Sequence, residues 1–238
     1  MSEWRAKRFW QNAGVETAGE GFAVRLDGRP LRTPLKTELV VPSRALAEGV
    51  AAEWDAQEGR IDPLGMPLTR AANATLDKVA PQRAEVAAGL AEYGGSDLLC
   101  YRATGPEPLV ARQAEGWDPM LDWAAREIGA RLVVTEGVVP VPQPEAALDA
   151  LRARVDVFTT WELTALSEFV SLSGSLVLGL AAMARDEHPA DRLWTLSRID
   201  EDWQAEQWGA DEEEGERIAV KRAAFLQAER YLDLLRAV

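Results

Sequence analysis

GFAVRLDGRPLRTP, residues 21–34, reads as a strand, a tight turn and the start of a second strand. Phe22, Val24 and Leu26 alternate with Ala23 and Arg25, the period of a pleated strand with one face buried. Asp27-Gly28 then supplies two residues that tolerate positive φ in a two-residue hairpin. Pro30, Pro34 and Pro42 have no N–H to give a ladder, which confines Leu31–Thr33 and Leu39–Val41 to short or edge strands. The strand pattern reaches back to Phe9, so residues 9–41 are expected to form a small antiparallel sheet.

Beyond Pro42 the period becomes that of helices. Ser43 is placed to cap a helix carrying Leu46, Val50, Trp54 and Gln57 on one face, with Gly59 as its stop. Arg60–Pro67 holds two prolines and a glycine and reads as a junction. Helices are then expected from about Thr69 to Val79, and after Pro81 along Val86, Leu90 and Tyr93 until Gly94-Gly95. Asp118-Pro119 signals another start, with Gly129 as its stop. Leu148, Leu151, Val155 and Phe158 mark a further helix, and the apolar run Leu163–Met183 a buried helix or helix pair. Ile218, Phe225, Leu232 and Leu235 mark the last, with Asp211 and Glu214 at capping-box spacing. Arg131–Val141, rich in β-branched residues and bounded by prolines, reads as a short extended connector. Strands first and helices after is the segregated pattern of an α+β chain. The expected organisation is a small antiparallel β-containing N-terminal domain with one helix, residues 1–65, followed by a larger all-helical C-terminal domain, residues 66–238.

A chain of 238 residues that is 47% hydrophobic has the means to bury a substantial core. Its formal charge of −13 argues against a nucleic-acid surface, which draws its free energy from Lys and Arg on phosphates, and favours a basic partner patch. Cys100 is the single cysteine, which excludes an intrachain disulfide and a CxxC motif; within DLLCY it reads as a small buried hydrophobe. MSEWRAKRFW lacks the apolar stretch of an export signal, and Leu163–Met183 is broken by Glu168 and by serines and glycine, short of a bilayer span. A cytoplasmic location without membrane insertion is expected.

Catalytic signatures are scarce. His188 is the sole histidine, set between Glu187 and Pro189 at an apparent helix end, and no GxSxG accompanies it. Ser173-Gly174-Ser175 suits close helix approach instead. Neither GxxxxGK[ST] nor GxGxxG is present. No catalytic residue, cofactor or metal is therefore expected. The alternative is an enzyme using Asp200, Glu201 and Glu206 for acid–base work or a divalent cation, against the simpler reading of a solvated acidic face. WTLSRIDEDWQAEQWGADEEE, residues 194–214, sets three tryptophans among carboxylates. Aromatic anchors with an acidic rim suit a protein partner, although Leu196, Ile199, Trp203 and Gln207 also recur at helical spacing, as core residues would. Trp54, in VAAEWDAQ, divides in the same way between core anchor and exposed rim, with the core favoured.

Several strings together resemble a known family: LDGRPLRTP (26–34), VAAEWDAQ (50–57), MPLTRAANATLD (66–77), DLLCYRA (97–103), SGSLVLGLA (173–181) and LSRIDEDWQAEQWG (196–209). They are similar to the chaperones that assemble the catalytic sector of the F-type ATP synthase by acting on its alpha subunit. The resemblance implies an assembly chaperone rather than an enzyme, with partner-binding residues Glu201, Trp203, Trp208 and Gly209 in the most family-like segment and Trp54 in another. It also implies that the chain holds unassembled alpha subunit and yields it to beta subunit; a monomer is expected. Eukaryotic members work in the mitochondrial matrix and carry a presequence; this chain resembles the bacterial form. A generic acidic adaptor is a further alternative.

Overall fold

The structure, a computed structural model, describes residues 7–185, 188–209 and 211–237. Glu187 beside His188 and the first six residues of the amino-terminal stretch lie outside them. Contacts divide the chain into two compact units, one of residues up to Arg83 together with those from Arg230, the other Ala84–Glu229. The division falls at Arg83 rather than at residue 65, and the carboxyl end belongs with the first unit.

In the first unit, β2 (Gly21–Leu26) is central. It pairs antiparallel with β1 (Ala13–Ala18) on one side and with β3 (Arg29–Pro30) and β4 (Val40–Val41) on the other. Asp27 (φ 49) and Gly28 (φ 76) make the expected turn. The Asp27 carboxylate also accepts the N–H groups of Asn12 (2.9 Å) and Gln11 (3.0 Å), which hold its pKa below the usual carboxylate value. Gly21 has no room for a side chain: a Cβ there would lie 2.8 Å from the Val41 carbonyl oxygen. Leu31–Thr33 is not a regular strand: it holds an isolated bridge between Arg32 and Glu38, and its Leu31 N–H bonds to the Val24 carbonyl at 2.9 Å.

α1 (Arg44–Asp55) lays Leu46, Ala47, Val50 and Ala51 toward the sheet. Ser43 caps it as expected, accepting the Leu46 N–H at 3.2 Å and donating to the Leu234 carbonyl at 2.6 Å. Glu53 is neither core nor free rim. Its carboxylate accepts the N–H groups of Leu68 (2.7 Å) and Thr69 (2.8 Å) and the Thr69 hydroxyl (2.7 Å), so α1 caps the uncapped start of α2 (Pro67–Ala74).

The second unit holds α3 (Arg83–Glu92) from Ala84 on, α4 (Glu107–Trp123), α5 (Glu145–Asp156), α6 (Thr160–Ser173), α7 (Leu176–Ala184), α8 (Ala190–Ser197) and α9 (Ile199–Trp208); α10 (Glu212–Arg236) runs in it as far as Glu229. β6 (Thr135–Glu136), in the expected extended connector, pairs parallel with β5 (Tyr101–Arg102). Asp118-Pro119 does not start a helix. α4 begins eleven residues earlier and carries Pro119 in its interior. The proline costs about 3 kcal/mol in a helix. Continuing the helix fully buries Trp117 and Met120 and nearly buries Trp123, each worth about 1.5–3 kcal/mol, so burial wins. Gly129 (φ 80) ends this segment as expected.

The apolar run Leu163–Met183 is a helix pair, broken at Gly174 (φ 70). Close approach is provided by Gly179, where a Cβ would lie 2.6 Å from Val170 Cγ2, and not by Ser173-Gly174-Ser175. That tripeptide is a turn tied to Asp97, a fully buried carboxylate. Asp97 accepts the Ser175 hydroxyl (2.7 Å) and the N–H groups of Val177 (3.0 Å) and Leu99 (3.1 Å). One side chain thus caps α7 and the turn at residues 98–100. Burial pushes the Asp97 carboxyl up, against a smaller pull from its donors. It also helps raise the neighbouring Cys100 thiol, pushed up to about 12 chiefly by its own burial, which leaves that sulfur inert as a nucleophile.

A carboxyl with a raised folded-state pKa favours the fold most below its ordinary value, and that contribution is lost as pH rises through the folded pKa. Asp97→Asn turns an amide NH₂ toward a donor, so we expect it to cost about 1–3 kcal/mol at neutral pH. Urea denaturation of both proteins should show a larger deficit at about pH 5 than at about pH 8, the sign that follows from the upward shift. An equal deficit at both pH values would contradict this role.

Candidate partner-binding surface

Glu201, Trp203, Trp208 and Gly209 all lie on α9 or its C-cap. α9 is separate from α8: the chain breaks helical geometry at Arg198 (φ −108, ψ 4). The expected core stripe therefore does not run through. Ile199 is buried, Leu196 and Trp203 are half-buried, and Gln207 is exposed.

One face of α4 holds this segment. The Trp117 indole N–H donates to the Leu196 carbonyl at 2.8 Å. Buried Gln113 donates to the Asp200 carboxylate at 2.5 Å, while its carbonyl accepts the Ala103 N–H at 2.8 Å. Arg112 forms a bidentate pair with Glu206 (2.8 and 2.9 Å) and stands over the Trp203 ring at 5.0 Å from its centroid. That pair raises the Arg112 pKa and lowers that of Glu206. Gly116 permits the approach, since a Cβ there would lie 2.7 Å from Ile199 Cδ1 and 3.1 Å from Leu196 Cδ2. Arg112, Gln113 and Trp117 are absent from the sequence reading because it began the helix at Asp118. The signal was the spacing of Gln113, Trp117 and Met120 upstream of and across the proline.

The carboxylates considered for chemistry do not converge. Asp200 is held by Gln113, Glu206 by Arg112, and exposed Glu201 pairs with Arg198 at 3.5 Å, as Asp202 does at 3.6 Å. Among the described residues no group of three His, Cys, Asp or Glu is arranged to hold a metal ion. His188 lies half-buried, edge-on to Trp123 with ring centroids 6.2 Å apart.

Trp208 is 88% exposed on the last turn of α9. Gly209 (φ 90, ψ 149) follows in a backbone region open essentially to glycine alone, and its N–H closes the helix on the Ala205 carbonyl at 2.9 Å. Gly209 thus ends α9 and leaves the indole on its last turn. Trp54 belongs to the first unit. It is half-buried on α1, its ring 5.0 Å from that of buried Trp10.

Comparison with known proteins agrees with this architecture. Residues 7–125 match the ATP12 chaperone protein family. The structure is similar to Atp12 from Paracoccus denitrificans, at 52% identity with a TM-score of 0.94, covering 98% of this chain and 100% of that one. It is equally similar to an aspartate-to-lysine variant of that protein, at 52% identity, TM-score 0.94, and 99% and 100% coverage. Over 219 residues, 87% of this chain and 75% of the relative, it is 21% identical to the mitochondrial protein atp12 of Schizosaccharomyces pombe. Folded as two compact units, one built on a small sheet and the other helical, the chain belongs to the ATP12 chaperone family. Among the described residues no helix is long and apolar enough to cross a membrane.

Trp208→Ala should leave stability within about 0.5 kcal/mol of the parent, because the side chain makes little intramolecular contact. Trp203→Ala should cost about 1–2 kcal/mol through lost packing and the lost Arg112 contact. Chemical denaturation of the two variants checks the contrast; a Trp208→Ala loss as large as that of Trp203→Ala would mean that Trp208 is structural.

Proposed function

We propose that this protein is an assembly chaperone of the F-type ATP synthase that binds unassembled alpha subunit, prevents its aggregation and promotes its union with beta subunit. Membership of the ATP12 chaperone family supports the chaperone role. The observation that carries the binding mode is Trp208, 88% exposed at the end of an acidic helix whose position α4 fixes. An unassembled subunit presents apolar interface that would otherwise aggregate, and a rigid aromatic anchor rimmed by carboxylates covers such a surface where it carries basic residues. Glu201 and Asp202 supply the rim, Trp203 braces it, and Gly209 sets the exit of the chain. Trp54 is proposed as a support of the first unit that also borders its exposed surface. The protein acts without cofactor, as a monomer, and bacterial relatives at 52% identity support a bacterial cytoplasm as its place of work.

The enzyme reading has less to recommend it, because the acids it needs are each committed to a different cation or amide. Light scattering of refolding alpha subunit tests the proposal: scattering should fall as the chain is added, and unchanged scattering at several-fold molar excess would overturn it. Glu201→Lys should weaken association most at low salt, with the defect shrinking as salt screens both charges. Its melting temperature should change little, since an exposed ion pair is worth about 0–1 kcal/mol. A variant that unfolds early with no salt-dependent binding defect would remove Glu201 from the client surface.

A further inference from the structure

Among the described residues no strand pairs with the outer edge of β1. Val24 turns its backbone away from β1, taking the Leu39 carbonyl at 3.3 Å and giving its own carbonyl to the Leu31 N–H at 2.9 Å. Val15 is its partner across the antiparallel ladder. By the alternation of such ladders, Val15 and, two residues on, Thr17 direct both N–H and C=O away from β2. Ala13, in the same phase, does so too, and its outward N–H is taken by the Asp55 carboxylate at 3.1 Å. Among the described residues no hydrogen bond reaches the outward groups of Val15 or Thr17.

Natural edges are blunted by lysine, proline or a bulge. The opposite side of this sheet carries Pro30 in β3. β1 carries none of these devices. Its one charge, Glu16, is already matched by Arg25 at 2.9 Å.

A hollow flanks this edge on each face of the sheet. One, of about 390 Å³, lies between β1 and α1, lined on the helix side by Arg44, Glu48, Ala51, Ala52 and Asp55. The other, of about 260 Å³, lies beside Glu16, Arg25 and Asp27. Gly14 and Val15 border both. Gly14 has no reason within the chain to be glycine: a Cβ there would meet nothing within 4 Å, and its φ is not positive. A strand glycine of this kind fits a place where another backbone comes close.

We infer that the edge of β1 takes up an extended segment of the unassembled client by strand addition. The donors and acceptors of Val15 and Thr17 recur at the two-residue repeat of an extended chain, and the side chains of an added strand point alternately to its two faces. One set faces the hollow between β1 and α1, where Ala51 and Ala52 leave space and Arg44, Glu48 and Asp55 offer polar contacts. The other passes the bare face of Gly14. The identity of the client as alpha subunit rests on the function proposed above; the strand pairing does not.

The test is amide hydrogen exchange by NMR on the full chain, alone and with overlapping peptides that cover the alpha subunit. Val15 and Thr17 amides should exchange fast in the free chain and slow at least about tenfold with one peptide or more. Gly14→Leu, which has room to fold, and Val15→Pro, which removes an outward N–H and no rung of the internal ladder, should each weaken that peptide at least about tenfold. Failure of every peptide to protect these amides overturns strand addition, as does full binding by Gly14→Leu. Protection by a peptide in a chain that leaves alpha-subunit aggregation unchanged would uphold the edge and remove the chaperone reading alone.

Discussion

Everything placed on α9 depends on one face of α4. Gln113 is almost wholly buried and satisfies both the Asp200 carboxylate and the Ala103 N–H, so losing it strands two polar groups at about 1–3 kcal/mol each. The neighbouring Arg112–Glu206 pair is exposed, so water and salt screen it and it holds the helix only weakly. Magnitude therefore assigns the fixing of α9 to Gln113, to Trp117 and to the contact that Gly116 permits, while Arg112 chiefly orients Trp203. An anchor on a helix held this way has little freedom left to lose on binding.

The carboxylate of Asp97 plays the corresponding part deeper in the same unit. It joins two segments far apart in sequence and caps α7, at the cost of keeping an ionisable group away from water. Glu53 does a similar task at the surface of the first unit, where water lowers that cost.

Sequence reading was most successful where local chemistry decides. The Asp27-Gly28 turn, the Ser43 cap and the Gly129 stop each follow from residues within a few positions, and all three are as expected. It failed where tertiary burial overrides a local signal. Pro119 reads as a helix start, yet lies inside α4 because Trp117 and Met120 are buried on a continuing face. The stripe from Leu196 to Gln207 reads as one helical face, yet Arg198 breaks it. At the candidate surface, the sequence shows Trp208 only as one of three tryptophans among acids, and its exposure at the end of α9 was not legible. Nor was its support by α4, since Arg112 and Glu206 lie 94 residues apart and only folding brings them together. The open edge of β1 was equally hidden, because no periodicity in Ala13–Ala18 reveals which strand of a sheet stays unpaired.

An exposed tryptophan and an open strand edge are both liabilities for a protein with no partner to offer them to. On the proposed reading they are the two kinds of contact a subunit chaperone needs: a side-chain anchor with charge selectivity, and backbone pairing that tolerates varied sequence. Neither requires very high affinity, which suits a client that must be handed on.

The central claim is that Trp208 anchors unassembled alpha subunit. Titration calorimetry of isolated alpha subunit with the parent protein and with Trp208→Ala tests it most directly. The account predicts saturable binding that Trp208→Ala weakens at least about tenfold, equivalent to about 1.4 kcal/mol, while its melting temperature stays that of the parent. Absence of binding by the parent, or undiminished binding by a folded Trp208→Ala, would contradict it.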